Sequence, residues 1–332
     1  IENKNNIIPL RRLDTLKIAT LSVGKATGIT AFQEMLNNYS YMDHFTLNDL
    51  TDSGQISAVI EQMPKYNLVM LSLHSDKITR YGNFGISPKT DTLLKRISAV
   101  TKVILTSFSN PYGLSALQNL ENSEAILIAY NNTGVTQELA AQLIFGGVAA
   151  NGSLPVSISK KYPAGTGLDT KGPFRLKYTI PEEVQIASSD LDTIDSIALN
   201  AIKEGAAPGC QIFIAKEGKV IYKKSYGSHT YGDEVPVKNT DLYDLASITK
   251  IAATTLAVMK LYDKKNIDLD KPLGNYLPEL RHSNKKKIVI RNMMAHQARL
   301  QSFLPFWLET VENVSFDKKS DRYITAFPKY AA

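Results

Sequence analysis

Four strongly apolar runs punctuate the first half of the chain: "LKIATLSV" (16–23), "YNLVMLSLH" (66–74), "TKVILTSFS" (101–109) and "EAILIAY" (124–130). Each has the length of a strand, and each is apolar at consecutive positions. A strand with two apolar faces has to be covered on both sides, which is the habit of parallel sheets. Helical patterns fall between and after these runs, at 29–38, 53–63, 88–99 and 134–146. Strand and helix in alternation predict an α/β fold of about 150 residues, with a parallel sheet between two helical layers.

From residue 159 the texture changes. "SKKYPAGTGLDTKGPFRLKYTIPEEVQIASS" is rich in Pro, Gly and charge and carries no period. Such a stretch predicts an ordered linker over 161–188. A helix is expected from Ser189, with Asp192 as its capping partner. Leu191, Ile194, Ile197, Ala198, Ala201 and Ile202 lie on one stripe of it. "PGCQIFIA" and "VIYKKSYG" flank a Gly-containing turn, a hairpin signal, and a further helix follows. The predicted organisation is therefore an α/β domain over 1–160, a linker over 161–188, and an α+β domain over 189–332. A length of 332 residues with 43% hydrophobic content suits about two domains.

Composition narrows the function classes. No apolar run approaches the roughly 18 residues of a membrane span. The opening "IENKNNIIPL" is polar from residue 2 to 6 and lacks both Met and the pattern of a signal peptide, so it reads as the interior of something longer. The net charge is +6, with lysines scattered except in "RHSNKKK" (281–287). That run has no interleaved aromatics and reads as a solvated turn, so no nucleic-acid partner is expected. The single cysteine, Cys210, excludes an internal disulfide and reads as a small buried hydrophobe. Five histidines without ligand spacing predict no metal site. "SVGKATG" (22–28) lacks the spacing of a phosphate-binding loop, and no cofactor is expected.

One motif carries chemistry. S-x-x-K occurs at Ser22, Ser157, Ser247, Ser283 and Ser315. Ser22 ends a strand. Ser157 sits in a β-type run, where a residue three along faces the opposite side. Ser283 and Ser315 stand in polar, lysine-rich turns. Ser247 opens a helical pattern whose Ile248, Ile251, Ala252, Leu256, Met259 and Leu261 predict burial in a core. Residues three apart share a helix face, about 5–6 Å between Cβ atoms, which puts the Lys250 amine within reach of the Ser247 hydroxyl. A serine becomes a nucleophile when a neighbouring base takes its proton. Burial and the positive end of a helix dipole both disfavour a protonated lysine. The Ser247 N–H, in the first turn, would help to hold an oxyanion.

"PGCQIFIAKEGKVIYKKSYG", "LYDLASITKIAATTLAVMKLYDKKNIDLDKPLGNYLPEL" and "IVIRNMMAHQARL" together resemble the start of a serine β-lactamase/penicillin-binding-protein-like domain of the class C and esterase type, in order over about 188–305. The resemblance implies Ser247 as the acylated nucleophile and Lys250 as its activating partner. It implies a structural role for His296, and Arg299 stands where that family usually has glycine. The family completes its site with Y-x-N or Y-x-S and later K-T-G or H-x-G. No such tyrosine motif follows Ser247, and Tyr130-Asn131-Asn132 precedes it. Tyr330, in "PKYAA", lacks the third residue. The expectation is a chain that stops before its site is finished and is itself inactive. "SFLPFWLE" (302–309), with Phe303, Phe306 and Trp307, corresponds to a region that often borders the family's substrate groove.

"NKNNIIPLRRLD" and "AAQLIFGGVAANGSLPVSIS", with Gly146, Gly147, Gly152 and Pro155, resemble the second, α/β-sandwich domain of family 3 glycoside hydrolases, over about 3–160. In that family a preceding barrel holds the catalytic aspartate, and no role is carried onto these residues. The polar loop 73–89 reads as a surface loop. Together the two resemblances imply part of a bifunctional hydrolase acting outside the cytoplasm on small-molecule or cell-wall saccharide and peptide substrates. The rival reading is a pair of binding or scaffolding domains that keep the folds without the chemistry.

Overall fold

Each of the four apolar runs forms a strand. In the computed structural model, residues 1–48, 51–232 and 235–301 are described, with the backbones of four two-residue strands, Val311–Glu312, Phe316–Asp317, Arg322–Tyr323 and Lys329–Tyr330. The chain divides into two units, Ile1–Asp241 and Leu242–Ala332, taken here in turn.

The first unit is built on a six-stranded sheet of β1 (Glu2–Asn3), β2 (Ile18–Gly24), β3 (Asp43–Asn48), β4 (Leu68–His74), β5 (Lys102–Phe108) and β6 (Ala125–Ile128). Their order is β1-β6-β5-β4-β2-β3. Strands β2 to β6 are mutually parallel and β1 runs antiparallel on β6. The helices are α1 (Ala31–Leu36), α2 (Ser53–Gln62), α3 (Pro88–Ser98) and α4 (Gly134–Phe145), each within a few residues of its predicted span. Strand β3, which pairs at the edge of the sheet, was not evident from the sequence: "DHFTLN" is short and alternates instead of running apolar.

Two cores explain why the strands are apolar on both faces. On one face Leu21, Leu71, Leu73 and Leu105 pack with Leu93, Leu94 and Ile97 of α3 and Ile60 of α2. On the other, Met70, Ile104 and Phe108 pack with Phe32 and Leu36 of α1 and Ile144 and Phe145 of α4. Capping boxes start α1 and α2: Thr30 with Gln33, and Asp52 with Gln55.

The chain changes winding direction between β2 and β4, so their carboxyl ends flank the topological switch point of the sheet. Gly24 ends β2 there with φ +95°. A Cβ on it would stand 2.5 Å from the His74 carbonyl oxygen, closer than a side chain tolerates.

Residues 161–188 are ordered. Arg175 donates to the Leu10 and Phe145 carbonyls at 2.7 and 2.6 Å. The Phe174 ring packs against Gly146, which closes α4 at φ +80°. Then β7 (Lys177–Tyr178) adds in parallel to β9 of the hairpin β8 (Gly209–Lys216) and β9 (Lys219–Gly227). Before the hairpin, α5 spans Asp192–Lys203 after a tight turn at Ser188–Leu191. The capping contact runs from the Ala187 N–H to Asp190, in place of the predicted Ser189–Asp192 pair. Asp190 wins because the chain enters through that extra turn. Of the predicted stripe, Ala198 is buried, while Ile197 is 68% exposed. Asp195 ties α5 to β9, accepting from Tyr222, Tyr226 and Lys224. Cys210, on β8, is half-buried and not the buried hydrophobe expected.

In the second unit, α6 (Leu256–Asp263) and α7 (Ile290–Met294) are joined by a looped segment. Among the described residues no helix is long and apolar enough to cross a membrane, and no group of three metal-ligating side chains gathers.

Candidate acyl-transfer site

Ser247 lies in the second unit, in a chain path more tightly specified than a regular helix start. Asp244 Oδ1 accepts from the Ala246 N–H at 2.8 Å, turning the chain into a left-handed residue, Ala246, at φ +42°. That conformation is unfavourable for a residue with a Cβ. Ser247 follows at once, inside a short 3-10 turn over Ala246–Ile248. A wide π-type turn then runs over Lys250–Thr255 before α6 begins. Thr255 Oγ1 donates to the Lys250 carbonyl at 2.9 Å. Strained residues and π turns concentrate at functional sites.

The central contact is between the two predicted residues. Lys250 Nζ donates to Ser247 Oγ at 2.9 Å. Of the four S-x-x-K serines within the described residues, only Ser247 has its side-chain hydroxyl hydrogen-bonded to the side chain of its lysine. Ser22 bonds Ser72 while Lys25 pairs with Asp76. Ser157 Oγ accepts from the Ala164 N–H, and Ser283 Oγ donates to the Leu280 carbonyl. Ser315 lies outside the described residues, as do Phe303, Phe306 and Trp307.

Burial differs from expectation. Ser247 and Lys250 are both exposed. So is the apolar row that was to dry them: Ile248 is 54% exposed, Ile251 67%, Leu256 57%, Met259 55% and Leu261 41%. The row has helical spacing, but periodicity records only that a face is apolar. Covering that face needs a second surface, and no described residue of the second unit supplies one.

The other family segments come together within the same unit. Asp270 of "DLDKPL" accepts a bidentate pair from Arg291 of "IVIRNMM", at 2.6 and 2.9 Å. This ion pair holds the Asp270 carboxyl below its ordinary value. Leu273 N–H donates to the Ile288 carbonyl and Arg291 N–H to the Leu269 carbonyl. His296 follows α7 at φ +58°, with its N–H on the Met293 carbonyl. Among the described residues no hydrogen bond joins it to Ser247 or Lys250. Arg299, at the position where the resembled family usually has glycine, adopts a left-handed φ of +55°. Tyr130-Asn131-Asn132 is committed to the first unit: Tyr130 OH donates to the Ser153 carbonyl and Asn132 Oδ1 bonds His74. The loop after β4 is a surface loop, with Ile78 82% and Tyr81 94% exposed.

Comparison with known proteins bears on the second half of the chain. Residues 194–330 match the family described as Beta-lactamase. The chain is 28% identical over 163 residues to an N-acetylmuramyl-L-alanine amidase of Bacillus subtilis (strain 168), an alignment covering 44% of this chain and 37% of the relative. It is also 28% identical over 121 residues to Protein flp of Staphylococcus aureus, covering 36% of this chain and 24% of that protein. The chain thus spans well under half the length of these relatives. Among solved structures it is similar to a glycoside hydrolase family 3 beta-N-acetylglucosaminidase from Paenibacillus sp. str. FPU-7, at 16% identity and a TM-score of 0.39, over 48% of this chain and 30% of that one. A likeness of that size carries no argument on fold or activity.

Proposed function

We propose that residues 189–332 belong to a serine acyl hydrolase in which Ser247 is the nucleophile and Lys250 its base. The observation that carries this reading is the 2.9 Å contact between Lys250 Nζ and Ser247 Oγ. The strained Ala246 and the Asp244 turn present the hydroxyl. In the reaction, neutral Lys250 accepts the Ser247 proton as Oγ bonds the substrate acyl carbon. The resulting ammonium returns that proton to the leaving group as the acyl–leaving-group bond breaks, giving an acyl-enzyme. Water then attacks the ester, with Lys250 again taking a proton, and Ser247 is regenerated.

A lysine serves as base where its surroundings disfavour its charge, and burial is one such cause. The apolar row of Ile248, Ile251, Leu256, Met259 and Leu261 is where a covering surface would dry it. The 332-residue chain with that row exposed is therefore proposed to turn over poorly. The substrate class is cell-wall saccharide or peptide. The amidase relative and the resemblance of residues 1–160 to the second domain of family 3 glycoside hydrolases both favour it, as part of a bifunctional hydrolase acting outside the cytoplasm. The exposure of Lys250 favours the second reading, a domain that keeps the fold for binding.

A fluorophosphonate probe, which needs an activated serine, separates the two. The expected result is covalent labelling at Ser247 in the full-length parent, lost in Ser247→Ala and Lys250→Ala. Absence of label on folded parent protein supports binding without chemistry. Rapid ester or cephalosporin turnover by this 332-residue chain, abolished by Ser247→Ala, would overturn the proposal that it is poorly active.

A further inference from the structure

The first unit buries a chain of polar side chains, each within hydrogen-bond distance of the next, that the acyl-transfer reading does not use. It begins at His74, the last residue of β4, which is 2% exposed. Asn132 Oδ1 lies 2.8 Å from His74 Nδ1 and also accepts from Gln137 Nε2 at 2.9 Å. The Asn132 amide interacts with Asp76. An oxygen that already serves as acceptor requires Nδ1 to carry the proton. Nε2 of the neutral ring then accepts from Ser72 Oγ at 3.0 Å. Ser72 in turn meets Ser22 at 3.0 Å, and Ser22 meets Thr30 at 3.5 Å. Thr30 donates to Gln33 Oε1, Gln33 Nε2 donates to Thr20, and Thr20 reaches His44 Nδ1 at 2.7 Å.

The two ends of this chain answer a proton differently. When His74 gains one, Nε2 becomes a donor. Ser72 and Ser22 rotate their hydroxyls in succession, and Thr30 Oγ1 accepts the last of them while still donating to Gln33. No hydrogen bond is lost. When His44 gains one, Thr20 faces two donors, His44 and Gln33, and its own hydroxyl has no acceptor along the chain. His74 is therefore the end fitted to accept a proton.

The groups facing the His74 ring are Ser72 on its own strand, Phe108 of β5 at 4.9 Å, and Asn132 and Gln137 at the start of α4. Among the described residues, the charge that acts on it is Asp76, whose ion-pair partner is Lys25. Burial holds the ring below its ordinary value, opposed by the Asn132 hydrogen bond and by Asp76. Lys25 and Asp76 lie on the two loops that leave the switch point, and their ion pair ties those loops together.

We propose that His74 is a pH-sensitive latch for these loops. An imidazolium behind Asn132 attracts Asp76 and repels Lys25, so acid loosens the tie on residues 24–30. The test is imidazole nitrogen NMR with amide hydrogen exchange on this chain at pH 7.5 and 5, corrected for intrinsic rates. The expected results are an Nδ1–H tautomer at neutral pH and loss of protection at 24–30 on acidification. That loss disappears in His74→Gln, which keeps a donor and an acceptor but does not titrate. Ser72→Ala removes the acceptor needed by the imidazolium and should shift the His74 midpoint further down. An Nε2–H tautomer would overturn the proposal. So would an unchanged midpoint in Ser72→Ala, or the same acid-induced loss in folded His74→Gln.

Discussion

Strand β4 and the Ser247 helix carry similar apolar content, yet they end in opposite environments. Every residue of β4 is buried, with Val69, Met70 and Leu71 fully so. Along the helix, Ile251, Leu256 and Met259 are more than half exposed. The strand is enclosed because α1 and α4 lie over one face and α2 and α3 over the other, all within 150 residues of chain. The helix presents one apolar face, and no described residue of the second unit encloses it. Local pattern fixes which side of an element is apolar. Enclosure depends on what the rest of the chain, or another molecule, brings to that side.

Truncations test that contrast with the largest expected effect. Leu71→Ala removes a side chain with no exposed surface and should cost about 2–5 kcal/mol in denaturant unfolding of the first unit. Leu256→Ala in the 332-residue chain should stay within about 0.5 kcal/mol. A similar loss at both positions would mean that the helix face is covered in solution. Gly24→Ala comes next. It forces a Cβ towards the His74 carbonyl at a left-handed position and should destabilise by about 2–3 kcal/mol.

The comparison also separates what was legible in the sequence from what was not. The parallel sheet was legible because β2, β4, β5 and β6 are apolar at consecutive positions, which few other arrangements accommodate. The reach of Lys250 to Ser247 was legible because a one-turn spacing is geometry internal to the segment. The strain at Ala246 and the π turn were not. "DLAS" holds no glycine to mark a positive φ, although Asp244, two residues before Ala246, is a turn-forming signal. The His74 network was illegible for a different reason: Ser22, Ser72, Thr30 and Asn132 are distant in sequence, and only strand register and the α4 entry gather them.

Acid should act on the first unit more than on the second. His74 and His44 are both held below the ordinary histidine value by burial. Above about pH 6.5 the folded and unfolded forms are both neutral at these sites, and stability is complete. As pH falls through that value the unfolded chain binds protons first, so stability drops until the folded histidines titrate. Each such proton is worth at most about 1.4 kcal/mol per pH unit. Thermal unfolding from pH 7.5 to 5.5 should lower the first unit's Tm, with a shallower slope in His74→Gln. Removing the cap at Asp52 should have a smaller effect, about 1 kcal/mol for Asp52→Ala.

The smallest expected change has the opposite sign. Arg299 adopts φ +55° in a turn where the related family usually has glycine. A left-handed residue bearing a Cβ costs about 1–2 kcal/mol. Glycine removes that strain but gives the unfolded chain more freedom, worth about 0.5–1 kcal/mol. Arg299→Gly should therefore stabilise the second unit by about 0.5 kcal/mol in denaturant unfolding. Destabilisation instead would show that the arginine side chain holds this turn through contacts that outweigh its backbone strain. The second unit would then depend on a surface cation in a place where the first unit depends on its buried core.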